Sequence, residues 1–142
     1  MFSDTNTAEF EVGGKTYCVA RMSATDSIKV SKILISGDVM PFLQLEDQRG
    51  AVIMALMELK ESDLKFVVDA ALKKAKGENG IEVTPLTFVG DITPFWQLVA
   101  KVLFANFTEL AGYLMVEHSK IAQKARQIRE ATENKIPRVE TA

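Results

Sequence analysis

The side-chain types that most often bind metals or act as nucleophiles, histidine and cysteine, occur once each, as His118 and Cys18. A zinc or iron site needs three or four ligands, and these two residues lie about a hundred positions apart. The carboxylate nearest to His118 is Glu117, which falls on a different face of a helix. Cys18 has no charged neighbour in sequence that would activate its thiol. We therefore expect structural roles for both residues and no metal site.

Neither the glycines nor the carboxylates form a motif that requires chemistry. The pair Gly13-Gly14 is not followed by the Gly-Lys-Ser/Thr that completes a phosphate-binding loop. The 19 Asp and Glu residues show no spacing that calls for acid/base catalysis, and Asp91 suits a turn or capping position before a helix. An all-carboxylate site assembled from distant segments remains open. Otherwise the sequence predicts a protein that is not an enzyme and holds no cofactor.

The composition is that of one ordinary globular domain, which we expect to span residues 1–142. Hydrophobic residues make up 47% and charged residues 25% of the chain. A single cysteine excludes an internal disulfide and suits a reducing compartment. The first ten residues, MFSDTNTAEF, are polar and acidic, unlike a secretory signal. These features suit a protein of a reducing compartment.

The net charge of −2 argues against general nucleic-acid binding, but the charge is uneven along the chain. From Ser119 onward there are six Lys or Arg residues and three Glu residues, which gives +3, against −5 for the rest. The excess of positive charge is explained either by a solvated helix face or by a docking surface for an acidic partner.

The elements that would position these residues begin with a β-hairpin over residues 8–20. A two-residue Gly-Gly loop between alternating runs favours a hairpin, because both glycines tolerate positive φ. Pairing across the loop sets Val12 opposite Lys15 and Phe10 opposite Tyr17. An isolated hairpin is marginal in water, so its aromatic face must pack on the following helices. That face is predicted to hold Ala8, Phe10, Val12, Tyr17 and Val19.

Residues 25–76 are predicted to be helical. Ser23 and Asp26 resemble a capping box that starts a helix over residues 25–35, with Gly37 as its end. Pro41 begins a second helical run over residues 41–60, which Gly50 and the polar segment 46–49 either interrupt or leave continuous.

Ser62 is predicted to cap a further helix over residues 63–76, whose last turn carries Lys73, Lys74 and Lys76 in favour of the helix dipole. Gly77 would end it. Residues 77–90 form a connection, with either a short strand or an extended loop around Pro85.

The last predicted helix covers residues 94–134, with Thr93 as its cap and Pro94 in its first position. Residues 135–142 are predicted to be a disordered tail. Together the patterns predict a mainly α fold: an N-terminal hairpin, then a helical domain of four to five helices that ends in a long helix.

The segment from Asp91 to Ser119 is apolar on most sides, whereas a surface helix usually has one apolar stripe. Lys101 and Glu109 stand in its middle, and each charge at a bilayer centre costs about 2.5–3.5 kcal/mol. We therefore predict a helix that is buried by the fold, by another copy or by a partner, and not a membrane span. Met54 and Met57 are further candidates for partner contacts, because flexible methionines accept varied apolar helices.

Three segments carry a resemblance to a known family: FEVGGKTYCVARMSATDSIKVSKIL, ALMELKESDLKFVVDAALKKA and FVGDITPFWQLVAKVLFANFTELAGYL. In order and content they resemble the small tail assembly chaperones of tailed bacteriophages, over about residues 8–115. In that family the segments follow the patterns FxVGGKxY with LsAxD, L…sDLxxVvdaaL, and DIxxxxQLVxxVLxxNFxxl. Cys18 departs from the family, in which a basic residue is commoner there. The matching positions are Phe10, Val12, Gly13, Gly14, Lys15 and Tyr17; Asp63, Leu64, Val67, Val68 and Leu72; and Asp91, Ile92, Gln97, Leu98, Val99, Val102, Leu103, Asn106 and Phe107.

The resemblance implies a non-enzymatic protein of the host cell cytoplasm. Such chaperones coat the long helical tape measure protein during tail assembly, help to recruit tail tube subunits, and are generally absent from the finished particle. Some genomes also encode a frameshifted, longer version. A partner with repeated apolar stripes favours several bound copies, so a homo-oligomer is expected, without nucleic acid or membrane. Core and partner contacts are then predicted to be divided among Phe95, Trp96, Leu98, Val99, Phe104 and Phe107.

Two other functions compete with this hypothesis. The chain would be a stoichiometric band in purified particles if it were a structural tail or neck component of the virion. It would show a pocket of converging acids with raised pKa values if it were a small enzyme with a carboxylate site.

Overall fold

The computed structural model describes residue 2 and residues 6–135, with the side chains at 46, 86 and 133–135 left aside. It confirms the mainly helical fold: an N-terminal antiparallel β-hairpin is followed by four α-helices, the last of which is long. Of the predicted disordered tail, 135–142, only Lys135 lies within the described residues, where it ends the last helix.

The hairpin has the predicted register. Strands β1 (Thr7–Val12) and β2 (Lys15–Ala20) pair Val12 with Lys15 and Phe10 with Tyr17. The loop glycines have φ of +59° and +76°, the positive values that a two-residue hairpin loop requires. Four residues of the predicted inner face are buried and the fifth, Phe10, is half-buried, so this face packs on the rest of the fold.

Helix α1 (Ala24–Ser36) also begins and ends where the sequence predicts. The Ser23 hydroxyl accepts a hydrogen bond from the Asp26 N–H at 3.2 Å, which satisfies one unpaired donor of the first turn. Gly37 follows the last turn and donates its N–H to the Ile33 carbonyl. A Cβ at Gly37 would collide with the side chain of Leu59, so this position also allows a close approach of the chain.

The second helical run is shorter than predicted. Residues Met40–Gln44 and Glu46–Gln48 form short 3₁₀ helices, and only Arg49–Met57 forms an α-helix, α2. The interruption falls at Leu45, which is extended with φ −120° and ψ 122°, while Gly50 lies within α2. The run is therefore interrupted just before the polar segment 46–49 and not at the glycine.

The third helix, α3 (Glu61–Leu72), corrects two predictions. Ser62 does not cap it, because the helix already begins at Glu61 and its N-cap, Lys60, makes no side-chain hydrogen bond. Nor does it reach residue 76, since Lys73 is extended and Lys74 has φ +63°.

Backbone pairing explains the early end of α3. The N–H and C=O of Lys76 both bond Cys18 of β2 at 2.8 Å, and Lys76 also bridges Glu82. Residue 76 thus extends the edge of the hairpin, which a helical conformation would prevent. Gly77 consequently follows a bridge and not a helix. The rest of the connection holds a 3₁₀ turn, Pro85–Phe88.

The long helix α4 (Ile92–Lys135) begins two residues before the predicted start. Thr93 and Pro94 therefore lie in its first turn, where the missing N–H of proline removes no helical hydrogen bond. Its first half forms the centre of the core, and the four residues Leu98, Val99, Val102 and Leu103 are fully buried.

The chain divides into two compact units, Met1–Ala111 and Gly112–Ala142, with the division inside α4. The first unit contains the hairpin, α1 to α3 and the start of α4, and every hydrophobic residue that is buried in the described part of the chain belongs to it. The described part of the second unit is helical throughout, and residues 118–132 are exposed. The prediction of one domain over residues 1–142 stays a prediction.

Candidate partner-binding surfaces

A run of four aromatic rings fixes the start of α4 against the hairpin. Tyr17 stacks on Phe88 with ring centroids 5.7 Å apart, and Phe88 meets Phe95 at 5.6 Å. Phe95 then contacts Trp96 edge-to-face at 5.0 Å. Such contacts add to the burial of large apolar rings. These contacts within a single chain give the apolar residues around 88–96 a structural role that needs no partner.

The same environment acts on the hydroxyl of Tyr17. Burial, and next the nearby carboxylate of Glu78, raise the pKa of the Tyr17 phenol above its usual value of 10.0. The neutral hydroxyl is therefore favoured further into the alkaline pH range than that of an exposed tyrosine.

Most of the partner-contact candidates in α4 are core residues in this structure. Trp96 differs because it is half-buried at the end of the aromatic run. A partner can reach only this one of the six without a rearrangement of the core. The other five are at most 6% exposed: Phe95, Leu98, Val99, Phe104 and Phe107.

The candidates in α2 lie on an outer face of the protein. Met54 is 72% exposed and Met57 is 55% exposed, whereas Val52 and Leu56 on the opposite side of the helix are fully buried. Gly50 precedes Met54 by one helical turn, and a Cβ there would meet no atom within 4 Å. We call Gly50, Met54 and Met57 the methionine face.

The methionine face is unusual for a surface helix. An ordinary surface helix has charged or polar residues opposite its buried stripe. Between Arg49 and Glu58, α2 has no charged or polar side chain, so both its sides are apolar. Met54 and Met57, two flexible and polarisable side chains, are therefore exposed to solvent on a helix face that has no polar residue.

Sequence reasoning missed the role of Asn106, the only amide in the buried half of α4 after Gln97. Its Oδ1 accepts the N–H of Met22 at 3.1 Å, and its Nδ2 donates to the Val102 carbonyl at 2.9 Å. Asn106 therefore links α4 to the segment that connects the hairpin with α1. A lone amide in an apolar helix was the available signal, since a half-buried amide needs partners.

Lys101 has a comparable role. Its ammonium group donates to the backbone carbonyl of Glu11 in β1 at 2.7 Å. A single cation in an apolar helical segment is therefore explained by a contact with the edge of the hairpin.

The single cysteine and the single histidine are both exposed and belong to different units. Cys18 is a free, exposed thiol on β2, and His118 is exposed in the second unit. Among the described residues, no three His, Cys, Asp or Glu side chains come together as a metal site would require.

The predicted basic surface is in the second unit. Lys120, Lys124, Arg126 and Arg129 are exposed there, and Lys120 pairs with Glu117 at 3.4 Å. An exposed pair of this kind contributes little to stability. Lys135's side chain and Arg138 lie outside the described residues.

By length and composition, Ile92–Thr132 of α4 would suffice to cross a membrane, with a mean hydropathy of 1.3 in its most apolar window. Of that window, 39% is buried inside the protein. The buried part consists of core residues of the first unit, which accounts for much of the apolar character.

The chain matches no family model, and neither curated proteins nor solved structures give a significant match.

Proposed function

We propose that this protein is a non-enzymatic tail assembly chaperone of a tailed bacteriophage. In this proposal it acts in the host cytoplasm, binds the tape measure protein, and helps to recruit tail tube subunits. The family resemblance of residues 8–115 motivates the proposal. The observation that supports it is the exposed methionine face of α2, which provides the kind of surface that accepts many related apolar helical stripes.

The methionine face suits this partner for a physical reason. A tape measure protein is expected to present similar but not identical apolar stripes along a great length. Methionine has three rotatable bonds and a polarisable sulfur, so it adapts to varied surfaces better than a rigid side chain does. Several copies bound side by side would add their affinities, which is why we expect self-association.

The test is a pull-down of tape measure segments with the full-length protein, co-expressed with the neighbouring tape measure and tube genes. We expect the wild type to capture them and the double variant Met54→Lys/Met57→Lys to bind about 30-fold more weakly, because two charges would replace apolar contacts of about 2 kcal/mol. Val89→Lys is the matched control, since Val89 is 78% exposed but lies outside α2.

Two outcomes would count against the proposal. If the wild type captures no tape measure segment, the chaperone role is wrong. If the double variant binds as well as the wild type, the methionine face is not the binding surface. Mass spectrometry of purified particles tests the competing role, because a stoichiometric amount of the protein there would favour a structural tail or neck component.

A further inference from the structure

The two edges of the hairpin differ in their hydrogen bonding. The outer edge of β2 is occupied: the N–H and C=O of Cys18 both bond Lys76 at 2.8 Å. The N–H of Thr16, on the same edge, donates to the Glu78 carboxylate at 2.9 Å. Residues 76–78 therefore cover this side of the hairpin, and no further strand can add to it there.

The edge of β1 is open at Glu9. In an antiparallel pair, backbone groups point alternately toward the partner strand and away from it. Glu9 lies opposite Cys18 and Glu11 opposite Thr16, so the backbone groups of both glutamates point away from β2. The Glu11 carbonyl accepts a hydrogen bond from the Lys101 ammonium group. In the described part of the chain, no group bonds the outward N–H or C=O of Glu9.

A groove runs beside this open edge. Its volume is about 450 Å³, within the range of about 300–1,000 Å³ that is typical of binding pockets. The groove lies between residues 8–11 of β1 and the first half of α4, where Lys101, Phe104, Ala105 and Thr108 line it, and Gln44 lines it as well. Half-buried Phe10 lines it from β1. Phe104 and Ala105 form the apolar part of its wall, and Lys101 and Thr108 the polar part.

We propose that the open edge of β1 is a docking site for an extended segment of another protein, in which apolar and basic residues alternate. Such a segment would add a third strand to the hairpin. Laid antiparallel, one of its residues would lie directly opposite Glu9 and exchange two backbone hydrogen bonds with it.

The alternation follows from the two faces of β1. Residues directly opposite on neighbouring strands share a face, so the residue opposite Glu9 lies beside its carboxylate. The residue two positions before it in the added strand lies opposite Glu11 in the same way. Basic side chains complement these two charges. The residues between them lie on the face of Phe10, beside the wall formed by Phe104 and Ala105, and apolar side chains fit there.

The charges disfavour a second copy of this chain as the occupant. If two β1 strands paired antiparallel in the registers of greatest overlap, Glu9 would lie opposite Glu9 or Glu11 of the other copy. Like charges directly opposite each other destabilise a pair of strands. The occupant is therefore a different protein with basic residues. This site shares no residue with the methionine face, so its test is independent of the test of the chaperone role.

The test uses full-length protein and two capped peptides, Val-Lys-Val-Lys-Val and Val-Glu-Val-Glu-Val, with amide hydrogen exchange measured by NMR. At about ten times its dissociation constant, the lysine peptide should slow exchange of the Glu9 amide about tenfold. The glutamate peptide should leave it unchanged. The double variant Glu9→Lys/Glu11→Lys should reverse this preference, and a thermal melt by circular dichroism checks that it folds.

Several results would overturn the proposal. They are no slowing with either peptide, equal slowing with both, or an unchanged preference in a folded double variant. A fourth is slowing that appears without peptide as the protein concentration rises, since that would identify a second copy as the occupant.

Discussion

Asn106 offers the sharpest test of how α4 holds the first unit together. We expect Asn106→Ala to destabilise the protein, because the Met22 N–H would lose its acceptor at 3.1 Å. Met22 is a buried residue, so water does not readily replace the lost partner. The second hydrogen bond of Asn106, to the Val102 carbonyl, lies within its own helix and contributes less.

The magnitude follows from two opposing effects. A buried donor left without a partner costs about 1–3 kcal/mol. Alanine is a better helix former than asparagine by up to about 0.7 kcal/mol, which offsets part of this loss. We therefore expect a net loss of about 1–2 kcal/mol in the free energy of unfolding, and a Tm lower by about 3–7 °C for a chain of this size.

Urea unfolding followed by the fluorescence of the only tryptophan, Trp96, measures this change. Thr108→Ala is the matched control, because Thr108 lies two residues further along α4 and its hydroxyl donates only to the Phe104 carbonyl of the same helix, at 2.6 Å. We expect less than about 0.5 kcal/mol for it. If both variants lose the same stability, the contact between Met22 and Asn106 does not hold α4 against the hairpin and α1.

Two further predictions concern the aromatic run. Trp96→Ala should lower the free energy of unfolding by about 2 kcal/mol, because Trp96 is half-buried and the variant loses the edge-to-face contact with Phe95. Circular dichroism in urea measures this change. A loss of about 3–5 kcal/mol would show instead that Trp96 behaves as a fully buried residue. Tyr17 should make stability depend on alkaline pH: its folded pKa lies above the unfolded value near 10, so its stabilisation is complete below pH 10 and is lost as the pH rises through the folded pKa. Tyr17→Phe should lose less stability than the wild type between pH 9 and 12, and parallel pH curves would contradict this.

The sequence predicted elements whose signals are local. The Gly13-Gly14 loop determines both the turn and the register of the hairpin, because only one pairing places two glycines in the loop. The Ser23 cap and Gly37 likewise bound α1 through contacts within a few residues. These features need no knowledge of the rest of the fold.

The errors come from contacts between distant segments. Helical spacing and three lysines favoured a helix to residue 76, but the hydrogen bonds of Lys76 with Cys18 require an extended backbone there. No sequence pattern near Lys76 indicates that it pairs with a residue of β2. A tertiary contact here overrides the local preference.

The candidate surfaces show the same limit. Met54 and Met57 were predicted as partner contacts because methionine is flexible, but an apolar pair three residues apart on a helix is equally typical of a core. In α4 the apolar residues surround the helix, so the sequence alone could not separate Trp96 from the buried Phe95. Only the position of neighbouring elements decides which side is covered.

The bridge between Cys18 and Lys76 has a consequence for the order of folding. It closes a chain segment of residues 19–75, and closing a loop of that length costs about 3–4 kcal/mol of entropy, whereas the hairpin closes over two residues. The hairpin can therefore form early and locally, while the bridge waits until α1 and α3 have brought residue 76 back to β2. Amide protons of Phe10 and Tyr17 then report on the hairpin alone. Those of Cys18 and Lys76 report on whether the intervening helices have assembled beside it.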